Sequence, residues 1–289
     1  MNSVQKTMKI TNAMYLMASS KLKKARARLA ATEPYFERLQ YVMVDLMRHT
    51  DEGRQRYFAT DQDLEEHEVK HAYVILTSDK GLAGAYNLNV CRLAEEYLQK
   101  TKDNQQRNKL CFIGLTGRNY FLKRPELGDI IEEQCYSAAD PNLWRARDIA
   151  EYLMKQFLNG EIDEVTVFYT KMKSALVSEP EALQLLPFTP DMFPVEPEAD
   201  SRSYVTEYAP SPLEVMDQVA PNYMKGLLYG AMVEAFASEQ NARMTAMQNA
   251  TDNAGEIVRK LSLEYNRVRQ AAITTELTEV VAGSNAQEQ

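Results

Sequence analysis

The chain of 289 residues is long enough for one large domain or two small ones. With 45% hydrophobic and 26% charged residues it falls outside the disordered, collagen-like and disulfide-scaffold classes. Its net charge of −8 is unevenly placed: Lys6, Lys9, Lys21, Lys23, Lys24, Arg26 and Arg28 supply +7 before the first acidic residue, Glu33, which leaves −15 for the rest. A polyanion binder usually has a basic domain overall, so a single basic stretch in a chain of pI about 5.2 disfavours generic nucleic-acid binding. Cys91, Cys111 and Cys135 are widely spaced, form no CxxC pair, and read as reduced thiols of a cytosol-like compartment. No uncharged apolar run approaches the roughly 18 residues of a membrane-spanning helix.

In chain order, the first segment to place is Ala13–Ala18, which follows Lys6 and Lys9 as the core of a signal peptide would. Its helical pattern does not stop there. Apolar positions continue at Ile10, Met14, Met17, Ala25, Leu29, Phe36, Leu39, Met43 and Leu46, through the region where cleavage would fall. The first glycine is Gly53, and Pro34 is the only proline before Pro125, so residues 2–52 predict one long helix with Pro34 as its candidate bend.

The middle zone, roughly 65–205, alternates β-branched runs with helical patterns. Strands are predicted at Val69–Thr77, Lys109–Leu115, Ile130–Cys135, Val165–Thr170 and Ala182–Leu186, and helices at Ala85–Thr101, Arg118–Lys123 and Trp144–Leu158. That alternation predicts an α/β layer with parallel strands. Pro187, Pro190, Pro194 and Pro197 mark an irregular connector into a short strand around Tyr204–Tyr208.

Ser211-Pro212-Leu213-Glu214 is a capping box with proline at the first helical position, and the short helix it opens is expected to be interrupted at Pro221. Beyond Asn222, apolar residues at Met244, Met247, Ala250, Ala254, Val258, Leu261, Tyr265, Val268 and Ala272 describe a coiled-coil seam. The middle segment must bridge the two terminal helices, which are therefore expected to pair antiparallel. The fold class is α/β plus coiled coil: long antiparallel N- and C-terminal helices with a central Rossmann-like domain. Boundaries are expected at 1–56, 57–209 and 210–289.

Motifs that could carry chemistry are few. His67-Glu68-Val69-Lys70-His71 has the HExxH order, but zinc binding needs both histidines on one helical face, and the second half of the pattern enters a strand. Residues four apart on a strand lie about 13 Å apart, too far to share a metal. Ser78-Asp79-Lys80-Gly81-Leu82-Ala83-Gly84-Ala85-Tyr86-Asn87 follows the first strand where phosphate loops sit, yet it has neither GxGxxG nor the GK[ST] order. A tight strand-to-helix turn is the favoured reading. Cys91 and Cys111 sit in predicted regular elements, where thiols are usually buried and inert, and no GxSxG elbow occurs. No catalytic, cofactor-binding or metal-binding residues are predicted. Lys21, Lys24 and Arg28 share one helical face, suited either to solvation or to contact with an acidic surface.

Three stretches resemble the gamma subunit of F-type ATP synthases of the bacterial type. They are Ser3–Met14 with Ala18-Ser19-Ser20-Lys21, the loop Ser78–Asn87, and above all Ser238-Glu239-Gln240-Asn241-Ala242-Arg243-Met244 continued through Asn249–Ala254, Tyr265-Asn266, Arg269–Thr274 and Glu276–Gly283. The likeness spans essentially the whole chain, with Met8 and Asn12 departing from the usual glutamine and lysine and with a start about ten residues later than most relatives. The resemblance implies the central-stalk rotor of a proton-translocating ATP synthase, one copy per complex, inside a ring of three alpha and three beta subunits. It implies a foot touching the epsilon subunit and the c-ring of Fo, and an indirect attachment to the cytoplasmic face of the bacterial inner membrane. It further implies ring-facing roles for Met14, Lys21, Lys24, Arg28, Arg243, Arg269, Gln270, Thr274 and Glu279, and a foot-domain motif of Ser78, Asp79, Lys80, Gly81, Gly84 and Asn87. A coiled-coil nucleic-acid-binding module using the basic helix is the alternative, and nucleotide chemistry on the central domain ranks third.

Overall fold

The structure is a computed structural model that describes residues 2–58, 69–101, 107–174, 177–189, 192–193 and 207–287. Two compact units are present: residues 19–242, and residues 1–18 together with 243–289.

Within the larger unit, a five-stranded sheet is built from β1 (His71–Leu76), β2 (Lys109–Ile113), β3 (Asp129–Tyr136), β4 (Glu164–Met172) and β5 (Ser178–Leu186) in the order β3-β2-β1-β4-β5. The first four are parallel, as expected, whereas β5 pairs antiparallel with β4 through a short connection. β1 and β2 are almost continuously apolar and buried on both faces, the pattern of interior parallel strands covered by helices. The edges differ. β3 carries Asp129, Glu132 and Glu133, and β5 carries Glu179, Pro180 and Glu181, with proline where an interior strand could not accept it.

Helices α3 (Tyr86–Thr101), α4 (Leu115–Phe121) and α5 (Leu143–Leu158) connect the strands. Val90, Cys91, Ala94 and Leu98 of α3 recur at helical spacing and pack on Tyr73, Ile75, Leu110, Phe112 and Phe168. Because strand side chains alternate, Val74 and Cys111 point to the opposite face. Asn142 caps α5 by accepting from the Arg145 N–H at 3.0 Å.

Helix α1 (Asn2–Met47) passes Pro34 without ending. Pro34 and Ala30 are both exposed, so water can meet the carbonyl that the missing N–H leaves free. The predicted helix over 2–52 does break, however, at Arg48–Thr50. Thr50 then caps α2 (Asp51–Tyr57) by accepting from the Gly53 N–H at 3.1 Å, with Asp51 and Glu52 in the first turn.

The capping box forms: the Ser211 hydroxyl accepts from the Glu214 N–H at 3.2 Å, opening α6 (Pro212–Gln287). Pro221 does not interrupt it. Met216, Ala220, Tyr223, Met224 and Leu228 are buried on both sides of the proline, and that packing outweighs one lost backbone bond. Within this unit α1 and α6 run antiparallel. Gly53 lies against Met216, Asp217 accepts from Arg56 (2.7 Å) and the Tyr57 hydroxyl (2.8 Å), and Phe36 covers Gly226. A Cβ at Gly226 would fall 2.1 Å from the Phe36 ring, so only glycine permits this approach. Phe58, Phe188, Phe193 and Tyr223 close the same region with ring centroids 5.2–6.1 Å apart. The strand expected around Tyr204–Tyr208 lies largely outside the described residues; Tyr208 itself donates to Asp45.

In the smaller unit, Thr11 and Thr251 share a hydroxyl–hydroxyl bond of 2.7 Å, flanked by buried Met247 and Ala254. The expected seam stops early. Val258 and Leu261 are half-buried, but every residue from Leu263 to Val280 is exposed, Tyr265, Val268 and Ala272 included. Antiparallel pairing about Thr11–Thr251 brings Asn2 level with about residue 260.

Candidate functional site

The Ser78–Asn87 segment leaves the C-terminal end of β1, the position of ligand loops in open α/β sheets. Its polar groups are spent internally. The Asn87 carboxamide oxygen accepts from the Ser78 N–H at 2.8 Å, and the Ser78 hydroxyl donates to the Lys80 carbonyl at 2.6 Å. The Asp79 carboxylate accepts from the Leu115 N–H (3.2 Å), the Ser137 hydroxyl (2.6 Å) and the Ala138 N–H (3.1 Å). It thereby joins the ends of β1, β2 and β3. Lys80, Gly81 and Gly84 are exposed, and Gly84 holds a φ of +57° in the left-handed region. Next to this turn Gly114 has φ +109°, and a Cβ there would lie 2.3 Å from the Thr77 carbonyl oxygen. The geometry is that of a closed strand-to-helix turn with few donors left for a phosphate.

The crevice beyond these strand ends is filled by the chain itself. Met232, Ala235, Phe236 and Glu239 of α6 meet Leu76, Thr77, Tyr86 and Ile113, and the space left between them is about 10 Å³, room for one water. Three hydrogen bonds fix α6 there. The Tyr86 hydroxyl donates to the Ala235 carbonyl (3.1 Å), the Ser238 hydroxyl donates to the Thr170 carbonyl (2.9 Å), and Glu234 accepts from the Met172 N–H (3.2 Å). Burial raises the Glu234 carboxyl above its ordinary range, opposed by the Met172 N–H and Lys171. Sequence reasoning quoted Ser238–Asn241 as a signature, but their burial and the roles of Tyr86 and Glu234 had no local signal. An unusually polar stretch on an otherwise buried helix was the only available hint.

The thiols are as inert as their placement suggested. Burial pushes Cys91 and Cys111 up to about 12 and raises Cys135 as well, so none is a thiolate near neutrality. His67 and Glu68 of the HExxH pattern lie outside the described residues, while His71 opens β1 and faces Glu164 at 3.4 Å.

The basic helical face is divided. Leu22 and Ala25 are buried, and Lys21 and Lys24 are exposed. Arg28 instead bonds to Asp140 at 2.6 Å, in the loop before α5, and that carboxylate raises the guanidinium's pKa. In the smaller unit Met14 and Arg243 are half-buried, whereas Arg269, Gln270, Thr274 and Glu279 stand exposed on the uncovered part of α6. The Thr274 hydroxyl donates back to the Gln270 carbonyl at 2.9 Å. That part of the helix also exposes Leu263, Tyr265, Val268, Ile273, Leu277 and Val280. Among the described residues, no helix is long and apolar enough to cross a membrane.

Comparison with known proteins gives these features a common origin. A family model described as ATP synthase matches residues 1–287. The ATP synthase gamma chain of Ruminiclostridium cellulolyticum is 42% identical over 288 residues, covering 99% of this chain and 96% of that one. The sodium ion specific gamma chain of Acetobacterium woodii is 37% identical over 300 residues, covering 98% and 95%. Among solved structures, a chain from the central stalk and c-ring of the Tetrahymena thermophila mitochondrial ATP synthase superposes with a TM-score of 0.62 at 24% identity, covering 84% of this chain and 99% of that one. A chain from the Euglena gracilis mitochondrial enzyme gives 0.53 at 16% identity, covering 98% and 95%, and both agree in fold. The matched length and the identity of its relatives place this chain in the ATP synthase gamma chain family.

Proposed function

We propose that the chain is the central-stalk rotor subunit of an F-type ATP synthase, carrying rotation of the membrane c-ring to the catalytic beta subunits. The observation that carries this reading is the stretch Leu263–Val280, eighteen residues of helix with no cover among the described residues and with six large apolar side chains exposed. An isolated helix of that length is marginal in water, and exposed apolar surface of that extent marks an interaction site. A surrounding ring of three alpha and three beta subunits supplies the missing cover. An asymmetric helix turning inside the ring contacts the beta copies differently, and those differential contacts shift nucleotide affinity from site to site.

In this reading residues 1–56 and 210–289 form the stalk, and residues 57–209 form the foot that meets the epsilon subunit and the c-ring. One copy serves each complex, held to the cytoplasmic face of the bacterial membrane through Fo. Met14, Lys21, Lys24, Arg243, Arg269, Gln270, Thr274 and Glu279 face the ring, and the Arg28–Asp140 pair limits what Arg28 offers to an acidic partner. Catalysis belongs to the ring; the occupied crevice at the strand ends supports that division. No comparison supports a nucleic-acid-binding module.

Copurification from membranes with a hexameric ATPase at one chain per complex tests the assignment. Arg243→Ala or Gln270→Ala is expected to lower coupled ATP synthesis by roughly fivefold, the low end of common inter-site couplings, while assembly changes less. Wild-type synthesis by the reconstituted variants would overturn these two roles.

A further inference from the structure

A rotor that carries torque needs its foot fixed to its stalk against twisting as well as against separation. Apolar packing resists separation, and its interdigitated side chains resist turning until they repack. Hydrogen bonds are directional and lose strength steeply as they bend. The number of bonds, and the sides of the helix they reach, therefore decide how firmly it is keyed.

On α6 three bonds to the α/β layer fall between Glu234 and Ser238, a span of about 6 Å along the axis. Glu234 and Ser238 are four residues apart and share one face, where they meet the end of β4 at Met172 and Thr170. The Ala235 carbonyl, one residue round from Glu234, takes the Tyr86 hydroxyl from the first turn of α3. Two separate elements thus hold one helical turn from two directions. The turn is also the most polar buried part of the helix: Ser238, Glu239, Gln240 and Asn241 follow one another and all are buried. Polar groups in that number are costly to bury, and apolar residues of equal size would hold the helix in place without directional bonds.

We infer that Tyr86, Glu234 and Ser238 form a torsional key, a set of positioning residues that transmits torque between the α/β layer and α6. The key rests on the rotor reading above. It acts by fixing the azimuth of α6 relative to the sheet, so that angle gained at the foot reaches the stalk without slip.

The test uses the whole ATP synthase in membrane vesicles, with ATP hydrolysis and ATP-driven ion pumping measured in the same preparation. In the triple variant Tyr86→Phe/Glu234→Ala/Ser238→Ala, hydrolysis with the gradient collapsed by ionophore should stay near wild type, while ions pumped per ATP fall by roughly half or more as the local bonds are lost. Restoring Glu234 as Glu234→Gln and Ser238 as Ser238→Thr, which keep an acceptor and a hydroxyl, should recover most of the ratio. An unchanged ratio in an assembled triple variant overturns the key, and so does failure of the conservative pair to rescue. If the triple variant does not assemble, Tyr86→Phe alone carries the test, since it removes one hydroxyl and keeps the ring; an unchanged ratio there overturns the part assigned to Tyr86. Failure of the rotor reading looks different: wild-type protein would then neither copurify with the ATPase nor support pumping.

Discussion

Two stretches of α6 are equally helical and live in opposite surroundings. Between Met216 and Asn241 the helix is buried against α1, α3 and β4, and polar groups there are matched by partners within the chain. Between Leu263 and Val280 it is exposed on every side. Their local sequences differ as well: the buried stretch holds Pro221, Gly226 and Gly230, poor helix formers, whereas residues 263–280 have neither proline nor glycine and include Ala, Leu, Glu, Gln and Arg. The difference teaches that the buried stretch is held helical by packing within the chain in spite of its proline, whereas the bare stretch is helical by its local sequence and leaves its cover to a partner.

The sharpest way to break this comparison is to remove buried volume from the first region's support. Phe168→Ala, at a fully buried ring in the sheet core, should cost about 3–5 kcal/mol in the free subunit, read as a lower urea midpoint. Gly226→Val should follow at roughly 2–3 kcal/mol, because the new side chain displaces the Phe36 ring and α1 and α6 cannot close at that level. A midpoint unchanged by this substitution would mean the helices separate freely there.

The acid limb of stability offers a finer probe. His71, by hydrogen bonding and charge, holds the Glu164 carboxyl below its ordinary 4.5, opposed by its partial burial. A lowered carboxyl contributes stability that is present above its unfolded value and lost as pH falls from about 4.5 through the folded value. Glu164→Gln should therefore flatten the pH dependence of the urea midpoint below pH 4.5. At the other extreme, Leu277→Ala on the bare helix should move the free subunit by less than about 0.5 kcal/mol. Its effect should appear only as weaker retention in the assembled complex. A large loss in the free chain would show that the tail is covered after all.

Much of the fold was legible because its signals are local. β1, β2 and β4 stand out as unbroken apolar runs, α3 and α5 as amphipathic periods, and Ser211 as a cap with its glutamate three residues on. The break at Thr50 is local too: Thr50-Asp51-Glu52 is a cap with acidic residues in the first turn, a quieter signal than Gly53 three residues on. Other features depend on residues far apart in sequence. Pro221 survives because Met216 and Tyr223 are buried by other segments, and the direction of β5 follows from a short turn that propensity does not encode. The candidate site divides the same way. The place of Ser78–Asn87 at a strand end was readable, but the pairing of Arg28 with Asp140, 112 positions away, and the burial of Ser238–Asn241 in the crevice were not. The end of the seam near Ser262 was not legible either, because the apolar spacing continues through Tyr265, Val268 and Ala272 although those residues are exposed.

The two outer strands of the sheet have one more consequence, for the life of the subunit before assembly. An unpaired strand edge is a template on which other chains can add, and a protein with a bare apolar helix already carries one liability of that kind. Glu179, Pro180 and Glu181 on one edge, and Asp129, Glu132 and Glu133 on the other, make strand addition unfavourable from either side, the proline by removing a donor and the charged side chains because an added strand would strip their water. The newly made chain can thus wait for its partners in a state that does not polymerise through its sheet, and association is directed to the helix.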